Sequence, residues 1–446
     1  MRIYLPFLNL FFAAFSLIGY TILAYVLTRE NTFWLVSIFG ILFVLFWSIH
    51  RQIKTWKQLL FLGLLFRLVF ICATPNLSQD FYRYLWDGNL MGMGINPYLH
   101  TPKEVVELVQ FPFSSVLYEK MGFLSNVNYS NYPPLSQYLF QGMAFFSQKN
   151  LFGGIIFLRF IYFMFEMLLF FLGKNLIKTL KLSPNLASWY FLNPLLIIET
   201  YGNLHGEGVM CGIFLLGLGF LFQKRVFFSA LLFGISIAFK LFPLLFLPLF
   251  YFYFRRKRRL LFFGIITTTV FLFFLPFSNE NTALNYWKTL NLWFNTFEFN
   301  ASLFYLLRAI GFELVGFNII KIVGLIMPFF LITSIGYISL RNRNPTDIQI
   351  LKNLLWVCSL YLFTATTVHP WYVISLVALG LLSGYLFPLV WSATVFLSYT
   401  AYGLPEFEES AVALVLEYSI VYACLAYELW KKPLLKHFQK TDFFLR

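Results

Sequence analysis

Charge is what this sequence has least of. Charged side chains make up only 12% of its 446 residues, where a soluble domain carries about 25%. With a mean hydropathy of +0.73, that excludes an ordinary cytosolic enzyme and a disordered chain. Cysteine is scarce too. Cys72, Cys211, Cys358 and Cys424 lie in or at the ends of apolar runs, with no CxxC pair and no metal-ligand spacing. They read as small apolar core residues, which excludes a secreted disulfide scaffold. Internal repeats and low-complexity linkers are missing, and no stretch is polar enough for a separate soluble domain. Arg2 precedes a long apolar run that lacks a small-x-small cleavage site, so the first span is expected to stay uncleaved.

What is present is apolar surface. Hydrophobic residues are 59% of the chain, aromatics 22%, and Phe alone fills 59 positions. A crossing helix needs about 20 apolar residues, fewer where it is short or broken. The runs that qualify are 7–27, 32–49, 59–73, 155–173, 184–200, 207–222, 226–239, 241–254, 260–277, 313–337, 350–367, 371–386, 388–403 and 411–430. The pairs around Lys240 and Phe387 suit broken or re-entrant helices. The expected fold is an all-α polytopic membrane protein, a bundle of about 12–14 transmembrane helices forming one membrane-embedded domain over residues 1–446.

The net charge of +14 does not point to nucleic acid, because the basic residues cluster between apolar segments. They read as topology determinants retained on the cytoplasmic side. With the N-terminus inside, the cytoplasmic segments hold Arg2, Arg51, Lys54, Lys57, Lys174, Lys178, Lys181, Lys224 and Arg225. They also hold Arg255, Arg256, Lys257, Arg258, Arg259, Arg341, Arg343, Lys352, Lys431, Lys432, Lys436, Lys440 and Arg446. That is 22 of 33 basic residues. Glu406, Glu408 and Glu409 fall on the opposite side. Both termini are therefore expected in the cytoplasm. Residues 133–148 are apolar enough to cross, but crossing would move Lys174 to Lys181 outside, so they are expected as a re-entrant or surface helix. Two external loops follow, about 74–154 and about 278–312, the second with Trp287, Trp293 and Arg308.

Chemistry-bearing residues gather at the external ends of spans. Asp80 follows a span directly. If a helix starts there, Asp80, Arg83 and Asp87 lie near one face. Such a carboxylate can take a proton from a hydroxyl, and Arg83 can hold a phosphate oxygen. The same spacing suits an N-cap and an ion pair at a helix start. Gly202-Asn203-Leu204-His205-Gly206-Glu207 places polar groups between two spans, where they are costly. His205 and Glu207 are too few to make a metal site. Lys240 sits inside an apolar stretch over 226–254. It either snorkels to the interface or supplies a cation to a lipid-linked phosphate. His369-Pro370-Trp371-Tyr372 closes another external end, where Trp371 and Tyr372 also suit an interfacial aromatic belt. Arg67, Arg159, Glu166 and Lys321 carry no assigned role; Arg159 and Glu166 are seven apart and can pair across two turns or take other partners.

In these residues the chain resembles the GT-C glycosyltransferases, integral membrane enzymes that use polyprenyl-phosphate sugars, and most of all their bacterial α-mannosyltransferase branch. The matching features are Asp80-x-x-Arg83-Tyr84-x-Trp86-x-Gly88, Gly94-x-Asn96-Pro97-Tyr98, Tyr132-Pro133-Pro134-Leu135, Asn193-Pro194, Gly202-Asn203-x-His205, Lys240-x-x-Pro243 and His369-Pro370-Trp371-Tyr372. They run in order over residues 75–375, while the last 70 residues match only as apolar helices.

The resemblance implies inverting transfer of a sugar, mannose first, from a polyprenyl phosphate to a lipid, glycan or protein acceptor. It implies a large first external loop and no metal or other cofactor. By that carry-over Asp80 is the general base. Lys240, Arg83, Arg308 and His369 are expected at the donor phosphate. Asp87, Trp86, Tyr132, Asn203, His205, Glu207, Trp371 and Tyr372 are expected at the substrate. The implied location is the bacterial inner membrane, in contact with membrane lipids, with the site on the periplasmic face. Two features depart from the pattern: two spans precede the one leading to Asp80, where many relatives have one, and Glu207 stands where relatives often have Asp. A flippase of lipid-linked saccharide is an alternative, weakened by the missing repeat and by polar motifs gathered at one face. A glycan ligase or polymerase with a pyrophosphate-linked donor is another.

Overall fold

A computed structural model describes residues 7–403, 407–431 and 433–434. Arg2, Glu406, Lys432, Lys436, Lys440 and Arg446 lie outside the described residues, as does the Trp293 side chain. Among the described residues the fold is all helical, apart from one isolated bridge between Phe299 and Thr367.

Six helices among the described residues are long and apolar enough to cross a bilayer, or up to seven if one bent pair counts as a span. The fold's helices include α1 (Phe7–Tyr25), α2 (Thr32–His50), α3 (Trp56–Leu68), α4 (Asp80–Gly92), α5 (Pro134–Phe146), α6 (Leu151–Thr179), α7 (Glu207–Phe222), α8 (Val226–Phe239), α9 (Arg256–Phe274), α10 (Ile320–Arg341), α11 (Asp347–Thr364), α12 (Val373–Ser383) and α13 (Ala411–Lys431). The polytopic all-α architecture is as the sequence indicates, but fewer continuous spans meet the length requirement than the expected 12–14. Proline and broken backbone explain the difference. The run 241–254 becomes a 3-10 segment, Phe242–Phe250, with Pro248 inside it. The run 388–403 changes from α to 3-10 at Val395. The run 313–337 is interrupted by Gly316 in the left-handed region, φ 75°. Each run is apolar along its length; in 241–254 the missing N–H of Pro248 breaks the helix without reducing hydropathy.

Local signals set the helix starts. Thr55 and Gln58 form a capping box at α3, and Thr346 and Gln349 do so at α11. The Asn150 side chain caps α6. Within 133–148 the 13-residue α5, Pro134–Phe146, packs on α4 in the first loop. The approach is close enough that a Cβ on Gly88 would meet the Phe140 carbonyl oxygen at 2.0 Å. Beside it the Tyr84 and Phe140 rings stack at 4.3 Å.

Two buried arginines fasten the core. Arg67 forms a fork onto both Glu166 oxygens and donates to the Phe191 carbonyl; Tyr201 donates to the same carboxylate. Arg159 does not pair with Glu166. It donates to the carbonyls of Tyr201 at 2.7 Å and Gly202 at 3.2 Å, and to those of Ile71 and Ala73. It thereby pins the exit of α3 and the break before α7 to one helix. Replacing Arg67 by Met is expected to leave Glu166 buried and uncompensated, lowering stability by about 3–5 kcal/mol. Adding Glu166→Gln should recover most of that loss; thermal unfolding of the detergent-solubilised protein is the measurement.

Candidate active site

Asp80 is the first residue of α4, and its backbone N–H is met by Ser78 Oγ at 3.2 Å. Its side chain is 33% exposed. The partner arrives from the break before α7. There the chain passes through a π-turn, Ile198–Gly202, bends by 115°, and places Leu204 at φ 62°. This turn carries His205 to Asp80, with Nε2 3.7 Å from Oδ2, and to Ser78 Oγ at 3.3 Å. The other ring nitrogen, Nδ1, meets Glu199 Oε2 at 2.9 Å. Glu199 is fully buried and accepts from Asn203 Nδ2 at 3.0 Å and the Tyr399 hydroxyl at 2.9 Å. With Nδ1–H donated to Glu199, a neutral His205 presents its Nε2 lone pair toward Asp80 and Ser78; protonated, it presents a donor there.

Aromatic rings form one wall. Trp371 stacks between His205 at 3.5 Å and His369 at 4.4 Å. Phe299 lies 5.0 Å from His369 and is bridged to Thr367, which ties the second external loop to this wall. A cation completes the site. Lys240 ends α8 in extended backbone, pairs with buried Glu207, and lies 5.4 Å from the Tyr372 ring centre. Ser136 Oγ donates to the Phe239 carbonyl at 2.7 Å, so α5 holds that turn in place.

The electrostatics separate the roles. Burial works to raise the Asp80 carboxyl, but the His205 contact and the charge of Lys240 outweigh it, and its pKa is lowered. Burial pushes the His369 imidazole down to about 3. His369 is therefore a neutral hydrogen-bonding group near pH 7, not a cation. Burial first, and Asp80 second, raise the Tyr132 hydroxyl well above its usual range, so it stays a protonated donor in the field of Asp80. No three His, Cys, Asp or Glu side chains among the described residues are arranged to hold a metal ion.

Residues 16–256 match the family model described as alpha-(1->6)-mannopyranosyltransferase, N-terminal domain. That match covers more than half of the chain and takes in α3 to α8, with Asp80, His205, Glu207 and Lys240. The chain belongs to this family. It is also similar to alpha-(1->6)-mannopyranosyltransferase B of Corynebacterium glutamicum, 25% identical over 33% of this chain and 24% of that protein. A second relative is GPI mannosyltransferase 1 of Kluyveromyces lactis, 30% identical over 31% of this chain and 30% of that protein. The matched stretch spans under a third of either relative's length. The resemblance read from the ordered motifs is thus borne out at the level of family.

Two residues expected at the donor phosphate, Arg83 and Arg308, and two expected at the substrate, Asp87 and Trp86, make other contacts in the structure. Arg83 is buried, bound to Asp87 Oδ1 at 2.7 Å and to the Ser125 and Asn128 carbonyls. Asp87 is fully buried and also accepts from Ser130 at 2.6 Å and Gln137 at 3.2 Å. Trp86 is enclosed near Phe111 and Tyr118. This set fastens the first loop to α4 through Arg83 Nε and Nη1, while Arg83 Nη2 is buried without a hydrogen-bond partner among the described residues. Arg308 pairs with Glu298 and lies over Tyr305, which donates to Glu409; that is a separate cluster on the second loop. Glu199, Tyr399 and Arg159 were not indicated by motif. Glu199 did leave a signal, as a carboxylate in an apolar run four residues before Asn203 and six before His205.

Proposed function

We propose that this chain transfers a mannosyl group, with inversion at C1, from a polyprenyl phosphate to a hydroxyl of a lipid, glycan or protein acceptor. The site faces the external side of a bacterial inner membrane, and both chain termini are cytoplasmic. The observation that carries the reading is the partly exposed Asp80 carboxylate, oriented by buried His205 and under the charge of Lys240. Mannose as the sugar is supported by the family and by the printed names of both relatives.

In this reading the acceptor oxygen bonds to C1 as the bond from C1 to the phosphate oxygen breaks, and that electron pair leaves on the phosphate. Asp80 takes the acceptor proton. Its lowered pKa keeps it ionised, and His205 holds the carboxylate in place. Lys240 is the cation closest in character to the need, since charge grows on the departing phosphate and preorganised stabilisation of such charge is a large term in a partly dry site. Tyr132, Tyr372 and His369 supply neutral donors and ring faces for the sugar. The transfer needs no metal. Arg83 and Arg308 take no part.

The test is purified protein with a panel of polyprenyl-phosphate sugars and a membrane lipid extract, with product read by mass. A mannosylated product that forms only with the mannosyl donor is the expected outcome. Flipping of labelled lipid without transfer, or transfer of an oligosaccharide from a pyrophosphate donor, would replace this reading.

A further inference from the structure

Away from Asp80, toward the other end of α6, lies a narrow groove of about 80 Å³ between α3, α6, α7 and α12. Leu169, Phe170, Ile177, Ala187, Leu215 and Leu382 line it. Glu166 also reaches this wall, but both of its oxygens are taken by Arg67 and Tyr201. Lys174 is the one lining cation. Its ammonium lies 4.5 Å from the Trp56 ring centre and 4.9 Å from that of Phe170. No carboxylate among the described residues comes within ion-pair distance of it.

We propose that this groove binds an anionic phospholipid, one acyl chain in the groove and the phosphate on Lys174. Three observations carry this. The groove opens between helices whose outer faces are bilayer surface, such as Phe160 and Phe171 on α6, so acyl chains are its natural solvent. Trp56 and Lys57 start α3 beside it, and Trp and Lys at a helix end mark headgroup level. Lys178, one turn beyond Lys174, is exposed on the same helix, so the mouth is basic. Lys174 follows Arg159, which holds the active-site break, by about 22 Å along α6 at 1.5 Å per residue. A phosphate on Lys174 is thus held apart from a phosphate bound near Asp80.

The experiment is native mass spectrometry of the full chain in mild detergent with equal phosphatidylglycerol and phosphatidylcholine. Wild type should retain one phosphatidylglycerol with about fivefold preference, the worth of one basic residue near an anionic surface. Lys174→Gln should remove the preference and keep the stoichiometry. Ala187→Trp, whose indole fills the groove, should remove both; Leu382→Phe is a milder filling should that variant fail to fold. Unchanged preference in Lys174→Gln, unchanged occupancy in the filled variants, or displacement by added polyprenyl phosphate overturns the proposal. Sugar transfer by each variant is assayed separately, so failure of lipid binding and failure of the transferase reading are distinguishable.

Discussion

Asp80→Asn is expected to lower kcat by about 10²–10⁴-fold, the usual worth of a positioned general base, while the protein still inserts and folds. Asn keeps the size and the place at the helix start. It loses the basic oxygen and the ion-pair contact to His205 at 3.7 Å. Because Asp80 is a third exposed and pairs with no buried arginine, unfolding temperature should move little. Wild-type kcat/KM should be flat over about pH 5 to 8 and fall only below the ordinary carboxylate range near 3.9, since the lowered pKa keeps the base ionised to lower pH. His205→Gln should shift that acid limb upward, toward neutral pH, because it removes the largest of the influences that lower Asp80. An Asp80→Asn enzyme with full activity, or a wild-type acid limb near pH 6 to 7, would remove Asp80 as the base.

The site residues most legible in the sequence are those at ends and breaks of spans. Asp80, His205, Lys240 and His369 each sit where an apolar run stops, and polar groups at such points are too costly to be accidental. Their partners were far less visible. Glu199 meets a hydroxyl 200 residues away on Tyr399, and Arg159 binds only carbonyls, which every residue has. Local spacing was also ambiguous where it looked most informative. Arg83 and Asp87 suit either a substrate clamp or an i,i+4 pair, and only the loop folding over them, through Ser130 and Gln137, selects the pair. Span continuity is hidden for a related reason. Hydropathy reports apolar length, while Pro248 and the left-handed Gly316 mark where that length stops being one helix.

Lys240→Met tests charge stabilisation, and its result must be separated from folding. Glu207 is 3% exposed and pairs with Lys240, so removing the lysine leaves a buried carboxylate without its cation. The single variant should lose about 3–5 kcal/mol of stability and about 10²–10³-fold in kcat. Glu207→Gln should cost less, because Lys240 is itself a third exposed and can reach water. The double variant Lys240→Met, Glu207→Gln is the deciding one. Stability should return to near wild type, since neither charge is left unpaired, but transfer should stay as low as in Lys240→Met. The two measurements then part: unfolding temperature follows the pair, whereas kcat follows the lysine alone. Recovery of both in the double variant would make Lys240 only the counter-ion that keeps Glu207 and the start of α7 in place.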